Sequence, residues 1–148
     1  MIKKTAWATW KGGIKDGIGS ISTETGVLKE APYGFKARFE GGKGTNPEEL
    51  IGAAHAACFS MALSNLLGKE GFTAEEIRTS AEVTLDKVDD GFEITASHLI
   101  VTARIPGVDQ AKFEEIANKV KVGCPVSKVL KAKITLDVKL LTGAAVPA

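Results

Sequence analysis

A chain of 148 residues suffices for one domain that buries most of its unfolded surface in a single core. Nineteen Lys and Arg against eighteen Asp and Glu leave a formal charge of +1, too little for the basic field of a nucleic-acid binder, so nucleic acid is not an expected partner. Lys3 and Lys4 are not followed by the apolar run of about 7–15 residues that a secretory signal needs. The longest apolar segment, Leu50 to Leu67, is broken by His55, Ser60, Ser64 and Asn65, which reads as a core helix and not a membrane span. The expectation is a single cytoplasmic domain, 1–148, with no membrane partner.

In chain order, Thr5 to Trp10, Gly17 to Thr23 and Tyr33 to Phe39 are β-rich stretches punctuated by Gly12-Gly13, Gly26 and Gly41-Gly42, and they predict three short antiparallel strands. Asn46-Pro47-Glu48-Glu49 then combines a capping side chain, proline in the first turn and acids beside it, a strong helix start with Glu49 placed for a capping box. The predicted helix runs to about Leu67, with Gly68 and Gly71 marking its end. Being apolar or small on nearly every side, it is expected to be buried all round.

Thr79 to Lys87 alternates Ala81, Val83 and Leu85 with polar residues, the pattern of a half-buried strand. A turn at Val88-Asp89-Asp90-Gly91 leads into a partner strand, Phe92 to Ile105, ended by Pro106-Gly107. Asp109 caps a second helix, Gln110 to about Val122, with Phe113, Ile116, Ala117 and Val120 on one face. A short helix from Pro125 to about Leu130 and a last strand, Lys133 to Leu140, follow, and Gly143 to Ala148 reads as a loose tail. The order β-β-β-α-β-β-α-α-β is α+β.

Cys58 and Cys124 are the only cysteines. Cys58 lies inside the small-residue run Gly52 to Met61, whereas Cys124 follows a polar helix and precedes Pro125, which reads as one deep thiol and one reachable thiol. A reducing cytoplasm disfavours a lasting structural disulfide. A cysteine of ordinary pKa is only about 3% thiolate at pH 7, and burial lowers that fraction. Twelve residues separate Asn46 from Cys58, roughly 18 Å of helix, so the dipole of its own helix is too distant to help. A reactive Cys58 therefore needs a fixed cation, and Arg38, flanked by aromatics on a short strand, is one candidate, because an arginine stays charged when desolvated.

Taken alone, a cysteine in an alanine-rich helix reads first as an inert core residue, and for Cys124 the inert and reactive readings both stand. His55 and His98 read as a packed and a strand-surface histidine. A zinc site from the two cysteines and two histidines has no local ligand pair to support it. Tyr33, Phe35, Phe39, Phe59 and Met61 are candidates to line an apolar pocket, with core packing the competing explanation.

The blocks Ser22 to Leu28, Pro32-Tyr33-Gly34-Phe35, Arg38-Phe39-Glu40-Gly41, Gly44 to Leu63, Thr84 to Val88, Gly123 to Ser127, Val129 to Ala132 and Ile134 to Asp137 resemble the OsmC/Ohr superfamily of thiol-dependent hydroperoxide reductases. The resemblance covers nearly the whole chain. It implies an OsmC-like fold, antiparallel sheets around a long buried central helix, in an intertwined homodimer. It further implies Cys58 as peroxidatic thiol, Cys124 as resolving thiol, Arg38 as the residue that activates the thiolate and positions peroxide, and Glu48 as the carboxylate that holds Arg38. The Ohr branch takes its arginine from an earlier loop. Here that loop, Lys11 to Gly17, holds none, so the OsmC branch fits better.

The activity so implied is reduction of hydroperoxides, organic ones in preference to hydrogen peroxide, in oxidative and osmotic stress defence, through a Cys58 sulfenic acid and a Cys58–Cys124 disulfide. No metal or bound cofactor is implied, and an external dithiol completes the cycle, a lipoyl-type one being what the resemblance suggests. Glu48 lies ten residues before Cys58, roughly 15 Å along a straight helix and about 80° round it, which points to Arg38 and Glu48 of one subunit serving Cys58 of the other. The alternative reading is a stress protein that binds small hydrophobic ligands or partners in the same pocket without turnover.

Overall fold

The computed structural model describes residues 1–141, and the tail expected to be loose lies outside them. The backbone gathers into two compact units, Met1–Leu50 and Ile51–Ala148.

In the first unit, β1 (Ala6–Lys11), β2 (Ile18–Thr23) and β3 (Ala31–Tyr33) form an antiparallel sheet in that order. The third predicted strand is corrected: only Tyr33 of the Tyr33 to Phe39 stretch belongs to β3, and Phe35–Phe39 is a one-turn helix, α1. Phe35 and Phe39 stand four residues apart, the helical spacing, and their rings lie 5.0 Å apart on one side of the turn. The Lys36 carbonyl accepts from both the Glu40 and Gly42 N–H groups and closes the turn.

The helix α2 (Pro47–Lys69) starts as its sequence dictates. Asn46 Oδ1 accepts the Glu49 N–H at 2.8 Å, and the Asn46 amide donates back to Glu49 Oε2 at 3.4 Å. It ends later than Gly68, because Gly71 is the residue that takes the left-handed conformation, at φ 86°, and the Phe72 N–H returns to the Leu67 carbonyl. Burial all round is also corrected. In the single chain Glu48, Gly52, His55, Phe59, Leu63 and Leu67 form a buried face, while Ala53, Ala54, Ala57, Met61, Ser64 and Asn65 are exposed. Length and hydropathy alone would let α2 cross a membrane, but its buried face belongs to a protein core.

That core lies in the second unit. Phe59, Leu63 and Leu67 of α2 pack with Leu99, Val101 and Ala103 and with Phe113, Ile116, Ala117 and Val120. The first of these partner sets is on β5 (Gly91–Arg104), which forms a hairpin with β4 (Glu76–Val88) around Asp89 and Asp90, Asp89 being left-handed at φ 52°. The second set is the apolar face of α3 (Gln110–Gly123), whose cap Asp109 accepts the Lys112 N–H at 2.8 Å. After α3 come α4 (Pro125–Val129) and β6 (Lys133–Leu141).

The α+β class holds, but this sheet is not purely antiparallel: β6 runs parallel to β5, with Leu99 opposite Leu136 and Val101 opposite Val138. The crossover through α3 and α4 supplies the physical reason, since a strand returned by a helical connection enters the sheet in the same direction as the one it left.

Candidate functional site

The first unit builds an aromatic cavity around an arginine. Trp10, Gly19 and Tyr33 are aligned across β1, β2 and β3, so both rings meet over the one residue without a side chain. A Cβ on Gly19 would lie 2.5 Å from the Tyr33 ring and 2.7 Å from the indole. The two rings, 5.5 Å apart between centroids, form one wall of a cavity of about 270 Å³ that Ile14, Phe35, Phe39 and Arg38 complete. Tyr33, Phe35 and Phe39 thus line a cavity together. Trp10 and Ile14 join them without having been singled out, although Trp10 lies opposite Gly19 once the strands are paired.

Arg38 sits on α1 and not on a strand. Its Nη2 donates to Glu48 Oε1 at 2.8 Å and its Nε to the same carboxylate at 3.1 and 3.3 Å, a two-point grip in which Glu48 is nearly buried. The guanidinium also lies 5.4 Å from the centre of the Phe39 ring. Because the carboxylate engages only Nε and Nη2, the geometry fixes the orientation of the guanidinium plane.

The second unit holds the thiols, both free. Their depths invert the expectation: Cys124 is 1% exposed, whereas Cys58 is only half-buried. Cys124 is the hinge between two helices. Its N–H donates to the Val120 carbonyl at the end of α3, and its carbonyl accepts from Lys128 in α4, which turns the side chain into the core. Cys58 stands at the margin of the buried face of α2. The two thiols are neighbours, and the Cys58 pKa is raised, first by burial and further by Cys124, against a hydrogen bond from the Val126 main chain that draws it down.

Phe59 and Met61 do not join a pocket. Phe59 is fully enclosed in the core, one position round α2 from Cys58, and Met61 is 77% exposed on the opposite face. His98 bonds Thr135 at 2.5 Å and Asp137 at 3.0 Å across β5 and β6, and among the described residues no group of three His, Cys, Asp or Glu side chains is placed to hold a metal.

Sequence reasoning missed a buried polar chain. His55 is fully enclosed, its Nδ1 2.8 Å from Ser97 Oγ and its Nε2 2.8 Å from Ser127 Oγ. Ser127 Oγ lies 3.2 Å from Cys124 Sγ, and the Ser127 N–H donates to the same sulfur at 3.3 Å. The partners of His55 are 42 and 72 positions away, so no local motif reveals them. A signal existed in Ser97, a hydroxyl at an inward position of a strand whose other inward residues are Leu99, Val101 and Ala103.

Burial lowers the pKa of His55 from its usual 6.5. The unfolded chain therefore binds a proton that the folded chain resists, and stability must fall as pH drops through and below 6.5. Thermal unfolding of wild type should show a steeper loss between pH 7.5 and 5 than that of His55→Gln, which cannot titrate. Parallel curves would refute this origin.

The "OsmC-like protein" family model matches residues 40–139. The chain is 61% identical over 139 residues to the "Peroxiredoxin OsmC" of Escherichia coli (strain K12), covering 94% of this chain and 97% of that one. It is 34% identical over 137 residues to the "Organic hydroperoxide resistance protein OhrB" of Bacillus subtilis, covering 92% and 95%. The crystal structure of B. subtilis OhrB superposes with a TM-score of 0.70 at 30% identity over 93% of this chain and 98% of that one. An OsmC-like protein of Vibrio cholerae, at 15% identity, shares the fold with a TM-score of 0.74 over 94% of this chain and 100% of that one. With the family model matching residues 40–139 and 61% identity over 139 residues to a curated relative, the chain belongs to the OsmC family.

Proposed function

We propose that this protein is a cysteine-dependent peroxidase that reduces organic hydroperoxides to alcohols, acting as a single OsmC-like domain in a homodimer. The observation that carries this reading is the pair of free, neighbouring thiols, one half-exposed and one enclosed. The half-exposed Cys58 thiolate attacks the outer oxygen of a hydroperoxide. The O–O bond breaks, the alkoxide leaves with a proton as alcohol, and the sulfur is oxidised to sulfenic acid. Cys124 then attacks that sulfur. The disulfide forms, the S–O bond breaks, and hydroxide takes up the thiol proton as water. An external dithiol, lipoyl-type being the reductant we favour, returns both cysteines to thiols.

In this scheme Arg38 activates the thiolate and orients the peroxide, and Glu48 holds Arg38. A thiol whose pKa is pushed up by burial needs such a cation more than an ordinary one does. The apolar walls of the Arg38 cavity favour a hydroperoxide with a hydrocarbon tail over hydrogen peroxide. The exposed small-residue face of α2, with Met61 on it, is where we place the subunit contact that brings Arg38 and Glu48 of one subunit to Cys58 of the other. The protein works in the cytoplasm, where dithiol reductants are available.

Intact-mass analysis after one equivalent of cumene hydroperoxide tests the reading. The expected product has lost two hydrogens and yields a Cys58–Cys124 crosslinked peptide. Unchanged mass would overturn it and leave a ligand-binding protein, which would tolerate serine at both positions.

A further inference from the structure

The chain Ser97–His55–Ser127–Cys124 connects an enclosed thiol, which must lose a proton in the peroxidase scheme, to a histidine held in the core. Cys124 has no solvent at its sulfur to accept a proton. Its polar neighbours in the described hydrogen bonds are the Ser127 main-chain N–H and the Ser127 hydroxyl, at 3.3 and 3.2 Å. The N–H can only donate, which stabilises negative charge on sulfur. The hydroxyl can also accept, provided its own proton has somewhere to go, and the acceptor within reach is His55 Nε2 at 2.8 Å. For Nε2 to accept, Nδ1 must carry the ring hydrogen, and Ser97 Oγ at 2.8 Å is placed to receive it. Four groups on α2, β5 and the Cys124–α4 junction are thus in register for one proton path.

We propose that Ser127 and His55 form a proton relay that deprotonates Cys124 as it attacks the Cys58 sulfenic acid, with Ser97 positioning the imidazole. This rests on the assignment of Cys124 as resolving thiol. As the Cys124 sulfur pair forms the disulfide bond, its proton passes to Ser127 Oγ while the Ser127 proton passes to His55 Nε2. The Cys58 S–O bond breaks and its oxygen leaves as hydroxide. A buried imidazolium is poorly tolerated, so the proton passes back to Ser127 and from there to the hydroxide released beside Cys58, which leaves as water while the relay ends as it began. Ser127 touches the reacting sulfur. His55 acts through it and is a positioning and proton-holding residue.

The test separates the two chemical steps. Reduced full-length protein is mixed with one equivalent of cumene hydroperoxide, and rapid-quench samples are read for thiol loss, for sulfenic acid trapped by dimedone and for disulfide by intact mass. Ser127→Val and Ser127→Thr have the same shape, but only Thr keeps the hydroxyl. The expected result is that Ser127→Val and His55→Gln convert the Cys58 thiol to sulfenic acid at the wild-type rate within about twofold, yet form disulfide at least about a hundredfold more slowly, the low end for lost general-base catalysis. Dimedone adduct then accumulates on Cys58, and Ser127→Thr recovers most of the disulfide rate. A purely structural role would slow both steps or be rescued equally by Val. Disulfide formation at the wild-type rate in Ser127→Val overturns the relay, whereas absence of the disulfide in wild type overturns the resolving role of Cys124 instead.

Discussion

Cys58→Ser and Arg38→Ala should each abolish turnover of cumene hydroperoxide by the purified protein, the first to the uncatalysed background and the second by roughly two to three orders of magnitude, the range for loss of one preorganised charge at a reacting centre. The serine variant lacks the proposed nucleophile. The alanine variant keeps it but leaves a thiol whose pKa burial has raised, so its remaining rate should climb about tenfold per pH unit as thiolate forms, to above the pH at which an ordinary cysteine levels off. Wild type, with Arg38 acting on the thiolate, should level off earlier. Mixing the two inactive variants then reports on the proposed homodimer. If Arg38 of one subunit serves Cys58 of the other, half the reassorted dimers carry one intact site of two, and about a quarter of wild-type activity returns. No recovery after verified subunit exchange would sink the shared site while leaving the chemistry intact.

The largest effect on stability is expected at the neighbouring position. Phe59→Ala should destabilise the fold by about 3–5 kcal/mol, the cost of deleting a fully enclosed aromatic ring. Met61→Ala should change chemical denaturation of dissociated chains by under about 0.5 kcal/mol, because its side chain is exposed. The contrast is sharp because both residues are candidates for the same apolar pocket when only their type and spacing are considered. Urea titration followed by circular dichroism measures it. Equal losses for the two variants would show that α2 does not bury the face assigned to it.

That pair also marks where sequence reasoning reaches its limit. Elements with one dominant local cause were legible: the Asn46 and Asp109 caps, the alternation of β4 and the 3–4 spacing on α3 all act within a turn or two of chain. The Phe35–Phe39 turn was misread because aromatic residues favour strands, and the single helical pair that overrides this preference spans only five residues. The direction of β6 follows from a crossover and not from its own residues. The depth of the thiols and the partners of His55 depend on side chains brought together from distant parts of the chain. The aromatic cavity was half legible, since Tyr33, Phe35 and Phe39 cluster in sequence, whereas Trp10 reaches them only across Gly19. Arg38 and Glu48, ten positions apart, were paired by resemblance to a family, and their bond is visible only in three dimensions.

The parallel seating of β6 also bears on the order in which the molecule comes together. The β4–β5 hairpin closes around two residues and needs no other part of the chain, whereas His98 and Thr135, facing each other across β5 and β6, are 37 positions apart. Closing that longer loop costs more chain entropy and slows folding. Cys124 lies inside the loop, and a ribosome-bound chain that has not yet delivered β6 presents a hairpin with the β5 edge open. The last strand to emerge is thus the one that covers the edge of β5 and closes the loop carrying Cys124.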